Sequence, residues 1–274
     1  MADRDFLNRM RVCERTEPEP WTAKYTLDSY TVQGVEIAVV RDDFLCPGTK
    51  GRYLWPLILQ PIIDQYDEFF YVSEQYGGAQ IALAWTLAWY NKRHHSPQKK
   101  TVTILLDDER VRSVDELESF SKAAHVLGAD FVFRHQWRTP QKYAASKRGR
   151  AYHVPNGFRT LAVIRALTAD ANRVQAIFGS FDACFCAVGS GTLIQGLSPS
   201  RLAPLYVGVC VYGQHLKSTT RIHYLIPSVP FRDETSAEPP YVSALHYDAK
   251  IWPIVLELLQ QKSPWKRILI WNVM

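Results

Sequence analysis

Apolar and polar positions along this chain follow two periods that trade places repeatedly. Tyr25 to Val40 contains two β-prone runs separated near Gln33-Gly34, a pattern that predicts a hairpin. Alternating or β-branched runs predict further strands at Phe69 to Ser73, Thr101 to Leu106, Phe131 to Phe133, Ala183 to Val188 and Leu205 to Tyr212. Helical spacing fills the intervals. Lys50 to about Gln65 reads as a helix in which Pro56 and Pro61 must start turns or introduce a kink, and Ala79 to Lys92 reads as a helix apolar nearly all round, hence buried. Ser113-Val114-Asp115-Glu116 has capping-box form and predicts a helix that stops at Gly128. Another helix is expected over Arg159 to Ile177, and a short one after Gly189. Strand, helix, strand is the grammar of parallel sheets, so the fold class is α/β. The one long polar excursion is Pro227 to Pro240, and no repeat or low-complexity tract is present.

Length and composition narrow the setting. The chain has 274 residues, enough for one large α/β domain or two small ones closing over a cleft. A hydrophobic content of 47% beside 22% charged residues is ordinary for a globular protein. No run of about 18 apolar residues could span a membrane, and the start Met1-Ala2-Asp3-Arg4-Asp5 lacks a basic-then-apolar leader, so a cytoplasmic location is expected. Cys184 and Cys186 form a C-x-C in an apolar run, where strand geometry turns both side chains to one face; buried free thiols explain them better than zinc or a disulfide. The remaining histidines, among them His94-His95, His215, His223 and His246, show no metal-ligand spacing, and no metal is expected. The absence of a G-x-S-x-G elbow argues against a serine hydrolase of the α/β type.

The net charge of +5 is unevenly spread. Arg138, Lys142, Lys147, Arg148 and Arg150 crowd a segment with Tyr143, Ser146 and Gly149 and no acidic residue, which reads as a loop suited to a phosphate backbone and stacked bases. Lys92-Arg93-His94-His95 and Lys99-Lys100 read instead as solvated helix-end charges favoured by the helix dipole.

Open α/β sheets place ligands at the carboxyl ends of their strands, so the glycine-bearing strand-to-helix turns are where chemistry is sought. Cys186-Ala187-Val188-Gly189-Ser190-Gly191-Thr192 leaves an apolar strand, turns on small residues and enters a helix whose free N–H groups suit a monophosphate. It has neither the G-K-[ST] of a nucleotide P-loop nor the dinucleotide spacing. A glycine turn without a ligand is the alternative reading. Tyr76-Gly77-Gly78-Ala79-Gln80 is a second such turn. Lys50, in Asp42-Asp43-Phe44-Leu45-Cys46-Pro47-Gly48-Thr49-Lys50-Gly51-Arg52, is placed for a Schiff base: its amine becomes nucleophilic when desolvation or neighbouring cations remove its proton, and Arg41 and Arg52 supply cations nearby in sequence. A solvated surface lysine is the bland alternative.

Together these residues carry a family resemblance. The Asp42-Asp43 through Gly48-Thr49-Lys50-Gly51-Arg52 context, the Gly77-Gly78-x-Gln80 turn, the Gly189-Ser190-Gly191-Thr192 loop and the element Tyr247-Asp248-Ala249-Lys250 occur in an order that resembles the fold-type II pyridoxal-phosphate enzymes. Within the tryptophan synthase β family the likeness is to the 1-aminocyclopropane-1-carboxylate deaminase and D-cysteine desulfhydrase branch. The resemblance implies two open, twisted, mostly parallel sheets flanked by helices. It implies a larger cofactor-binding domain from residues 1–50 and 160–274, and a smaller α/β domain from 51–159. It further implies pyridoxal 5'-phosphate as cofactor, Lys50 as the Schiff-base lysine, Gln80 at the cofactor, Gly189, Ser190, Gly191 and Thr192 around its phosphate, Tyr247 beside its ring and Asp248 on its pyridine nitrogen. A homodimer is implied as well.

The departures redirect the expected reaction. Where the branch follows Gly-Gly-x-Gln with Ser-Asn, which handle the substrate carboxylate, this chain has Ile81 and Ala82. A pocket that leaves a carboxylate unsolvated favours its loss as carbon dioxide. With the basic segment, this is similar to the pyridoxal-phosphate proteins with which bacterial viruses hypermodify thymine. The expectation is therefore decarboxylation of a seryl or glycyl group on thymine in DNA, in the host cytoplasm if the source is viral. Lys50 or Tyr76 would reprotonate the α-carbon, the basic segment would hold DNA, and His153 and Asn156 would contact substrate. Two alternatives stand beside it: a lyase that deaminates or desulfhydrates a small free amino acid, and a catalytically silent DNA-binding protein on the same fold.

Overall fold

The structure, a computed structural model, describes residues 24–45, 47–58, 64–75, 77–93, 99–231, 233–235, 237–261 and 264–273. It divides into two compact units. One runs through Thr22–Thr49 and Leu161–Met274, the other through Lys50–Thr160, so the boundary falls between Thr49 and Lys50.

The first unit is built on a six-stranded sheet. β1 (Leu27–Val32) and β2 (Val35–Arg41) form the expected hairpin. Gln33 and Gly34 both adopt positive φ, 50° and 80°, which is the turn whose twist matches that of paired strands. The order continues as β2, β10 (Arg267–Asn272), β7 (Ala183–Val188), β8 (Leu205–Cys210) and β9 (Ile222–Leu225), every pairing after the hairpin being parallel. Residues of β7 are buried throughout, as expected of an inner strand covered on both faces. Four helical or strand segments complete this unit around the chain: α5 (Leu161–Phe178), α6 (Thr192–Leu197) and α7 (Ile251–Gln260) are its helices, and β10 its last strand. Ile251, Val255 and Leu259, four apart on one face of α7, join Ile37, Val39, Phe185, Val207, Val209, Ile268 and Ile270 in the core.

The second unit holds a four-stranded parallel sheet in the order β5 (Ala129–Phe133), β4 (Thr101–Leu106), β3 (Glu68–Ser73), β6 (Ala151–His153). Its helices are α1 (Thr49–Ile58), which opens one residue before the unit boundary, α2 (Gly78–Arg93), α3 (Ser119–Val126) and α4 (Pro140–Ser146). Residues 79 to 87 of α2 are buried without a break, which is why its apolar positions run all round.

Several expectations change. The helix from Lys50 is described only to Ile58, and it runs through Pro56. The box at Ser113 does not form: Glu116 accepts from the backbone N–H of Arg112 at 2.7 Å, Val114–Glu116 is a single 3-10 turn, and the helix begins at Ser119. Gly128, at φ 93°, does stand where the chain leaves it. The segment expected as a basic loop is largely α4, capped by the Thr139 hydroxyl accepting from Lys142 N and started by Pro140. Strands β6, β9 and β10 were not foreseen from the hydrophobic pattern.

Candidate functional site

In the first unit the candidate chemistry gathers at the carboxyl end of β7. Gly189 and Ser190 leave the strand half-exposed, Gly191 turns at φ 79°, and Thr192 opens α6. Among the described residues the backbone N–H groups of Gly189, Ser190 and Gly191 have no protein acceptor, so the turn keeps three donors uncommitted. The hydroxyls of Ser190 and Thr192 lie 3.1 Å apart. Three further contacts hold the turn. Gln214 Nε2 donates to the carbonyls of Val188 at 3.1 Å and Gly189 at 3.0 Å. A Cβ on Gly189 would stand 2.8 Å from Tyr247 Oη and 3.1 Å from the Tyr212 ring, so only glycine lets both tyrosines lie against the backbone. Behind the turn, a Cβ on Gly196 would come within 2.3 Å of Leu167, and Thr168 donates its hydroxyl to Gly196 O at 2.7 Å, clamping α6 against α5.

Asp248 stands one residue beyond Tyr247 and is 1% exposed. Its carboxylate accepts from the backbone N–H of Ala244 at 3.1 Å and of Val273 at 3.2 Å. The other face of the same residue, Val273 O, accepts from Thr49 N at 3.2 Å. Gly48, at φ 76°, would place a Cβ 2.4 Å from that carbonyl. Asp248 and Thr49 therefore both hang on the residue that follows β10.

The acidic pair before Lys50 is structural. Asp42 Oδ2 accepts from the Thr49 hydroxyl at 2.8 Å and the Trp271 indole at 3.2 Å. Asp43 takes both Nε and Nη2 of Arg41 at 2.8 Å, together with the Asn272 amide at 3.1 Å. Arg41 is further paired with Asp28, and these carboxylates hold its charge more firmly than in water. That corrects one expectation: two carboxylates compensate Arg41, so it is no free cation to depress the lysine. Lys50 itself is half-buried at the second position of α1.

In the second unit the Gly77-Gly78 turn stands at the carboxyl end of β3. Gln80 is fully buried: its Nε2 donates to Gln75 O at 2.9 Å and its Oε1 accepts from the Ser121 hydroxyl at 3.2 Å. These bonds commit the Gln80 amide to holding the turn. Ile81 and Ala82 are buried as well. Tyr76 lies outside the described residues. Asn156 is exposed and accepts from the Tyr71 hydroxyl at 3.1 Å. The turn after it is strained: Phe158, buried at φ 58°, follows Gly157 at φ 62° and packs between Tyr53 and Tyr71. His153 stacks one face on Phe70 at 4.8 Å with the other side open, and that burial pushes its pKa down.

The basic segment is partly spent inside this unit. Lys147 pairs with Glu68 Oε2 at 3.0 Å, and Tyr143 and Thr103 each donate to Glu68 Oε1 at 2.6 Å. Burial alone would raise the Glu68 carboxyl, but these hydrogen bonds outweigh it and hold it below its usual value. Arg150 pairs with Asp67, and the Tyr143 ring packs on Phe70 rather than standing free for a base. Arg138, Lys142 and Arg148 remain exposed, without an ion pair among the described residues. The acids at 67 and 68 are remote in sequence, so no local signal could have shown them. Tyr212 and Gln214, which wall the Gly189 turn, were likewise missed; an aromatic residue just past a strand's carboxyl end was the one available clue. Among the described residues no helix is long and apolar enough to cross a membrane.

No protein-family model matches the chain, and no curated protein matches it. Solved structures match in fold. An ACC deaminase homologue aligns with TM-score 0.72 and 15% identity, over 94% of this chain and 95% of its own. Cysteine synthase from Entamoeba histolytica aligns with TM-score 0.68 and 15% identity, over 95% and 88%. The processed form of threonine deaminase isoform 2 from Solanum lycopersicum aligns with TM-score 0.64 and 13% identity, over 98% and 89%. At these identities the likeness is one of fold, and the fold is that of the fold-type II pyridoxal-phosphate enzymes: parallel sheets flanked by helices.

Proposed function

We propose that this protein binds pyridoxal 5'-phosphate and is a lyase acting at the α-carbon of an amino acid. The observation that carries the reading is the Gly189 turn, where three N–H groups without an acceptor among the described residues and the Ser190 and Thr192 hydroxyls lie beside Tyr247. That donor set fits a phosphate monoester. The cofactor would supply an electron sink for the bond broken at the substrate α-carbon. Gly189 to Thr192 would bind its phosphate. Tyr247, half-exposed against the turn, would orient its ring. Asp248, held by the backbone N–H groups of Ala244 and Val273, would keep the proton on its pyridine nitrogen. Lys50 Nζ would hold the cofactor covalently and, as a free amine, move the proton at the α-carbon.

A second reading concerns the substrate. Ile81 and Ala82 are buried apolar residues near the start of α2, and Arg138, Lys142 and Arg148 are exposed and, among the described residues, without an ion pair. Those observations favour decarboxylation of a seryl or glycyl group carried on thymine in DNA over deamination of a free amino acid. Lys147 and Arg150, both ion-paired, contribute less to a DNA surface than their charge suggests.

Absorbance of the purified protein with added pyridoxal 5'-phosphate tests the cofactor. Wild type should develop the visible band of a lysine-bound cofactor and Lys50→Ala should not; a wild type without the band leaves only a DNA-binding role on this fold. Mass spectrometry then separates the substrates. Loss of carbon dioxide from aminoacyl-thymine DNA supports the second reading, whereas turnover of free amino acids indifferent to DNA removes it.

A further inference from the structure

Lys250 is fully buried, an unusual place for an ammonium. Among the described residues it has no carboxylate within ion-pair distance; Nζ donates instead to the backbone carbonyls of Val229, at 3.4 Å, and Pro230. Burial lowers its pKa, and the nearby Asp233 opposes that shift. Desolvating a charge to serve two carbonyls is costly, and an apolar side chain of like size would fill the volume more cheaply. The segment it serves explains the need. Pro227 and Pro230 have no N–H to enter a ladder, and residues 226–231 lie in no strand; besides Lys250, Pro230 O accepts from Asp233 N at 3.1 Å, which closes a turn there.

The next residue carries the consequence toward the Gly189 turn. The Phe231 ring lies 5.7 Å from Lys250 Nζ and 4.2 Å from the Tyr212 ring. Tyr212, 48% exposed as a whole, is the ring whose edge would meet a Cβ on Gly189 at 3.1 Å. Lys250, the 229–231 segment, Phe231, Tyr212 and Gly189 thus form one unbroken line of contact inside a single unit.

We propose that Lys250 is a positioning residue for the Gly189 turn, latching the 229–231 segment so that Phe231 and Tyr212 wall the turn. The proposal rests on the reading of that turn as the phosphate site, and its test separates the two. Hydrogen exchange is measured on the full chain without cofactor, and pyridoxal 5'-phosphate affinity by titration, for wild type, Lys250→Met and Phe231→Leu. Lys250→Met should speed exchange around 226–231 by about tenfold while Ala183–Val188 stays protected, and should weaken cofactor affinity by about tenfold. Phe231→Leu should weaken affinity several-fold with Lys250 intact. Unchanged exchange overturns the latch. A loosened segment with unchanged affinity overturns the positioning role and leaves Lys250 a structural residue. Should Lys250→Met fail to fold, Phe231→Leu decides alone, and unchanged affinity there sinks the proposal. A wild type that binds no cofactor fails the functional reading, while the exchange arm still judges the latch.

Discussion

Tyr247 Oη lies 2.8 Å from the point where a side chain on Gly189 would begin. The tyrosine that follows the excursion and the glycine that ends β7 are therefore a matched pair: the ring occupies the space the glycine leaves open. Gly189→Ala should force the flexible Tyr247 ring and the Tyr212 edge outward. Cofactor affinity measured by titration should fall by about tenfold, with a thermal midpoint close to wild type, because the displaced atoms are side-chain termini. Equal affinity in the alanine variant would remove the turn from the phosphate site.

Gly48 tells the opposite story at the start of the lysine's helix. Its Cβ would meet the backbone carbonyl of Val273 at 2.4 Å, and its φ of 76° disfavours any other residue. Backbone cannot step aside as a ring can, so Gly48→Ala should cost about 2 kcal/mol or more of stability in denaturant unfolding. A loss well under 1 kcal/mol would show that the close approach to β10 is relaxed in solution.

Glu68 gathers three donors at the amino end of β3. Glu68→Gln should destabilise the protein by about 2 kcal/mol at neutral pH, since buried hydrogen bonds to a charged group are lost. Its depressed pKa makes this stabilisation fully present above the unfolded carboxyl value of about 4.5 and lost as pH falls through the folded one. Unfolding of wild type and variant should therefore converge in acid, and parallel curves would refute the assignment. On the proposed DNA reading the same variant frees Lys147, so DNA affinity should rise rather than fall.

His153 has its pKa lowered below 6.5 by burial against Phe70. The unfolded chain then binds the proton more readily, so the stability this ring contributes is complete above 6.5 and declines as pH falls through that range. An NMR titration should place its midpoint below 6.5. A midpoint above 6.5 would mean that an unrecognised acid faces the ring.

Much of the architecture is legible in local pattern. Period-two runs mark β3, β4 and β7, Gln33-Gly34 marks the hairpin, and the small residues at 189 to 192 mark the turn, because each is governed by backbone preferences over a few residues. The order Lys50, Gly77-Gly78, Gly189, Tyr247 is likewise linear information. What required the folded chain is every partnership made across distance. Arg267 to Asn272 is a short terminal run that reads as nothing special, yet pairing to β2 and β7 places it inside the sheet and makes Val273 the joint support of Thr49 and Asp248. The cations at 147 and 150 look available until Asp67 and Glu68 meet them. Gln80 looks uncommitted until the Ser121 hydroxyl and the Gln75 carbonyl engage its amide. Sequence alone determined which segments are strands, helices and turns and where the chemistry-bearing residues fall along the chain. Tertiary structure decided which of those residues are spent holding the fold and which face outward, because burial and hydrogen-bond satisfaction depend on neighbours that only folding brings together.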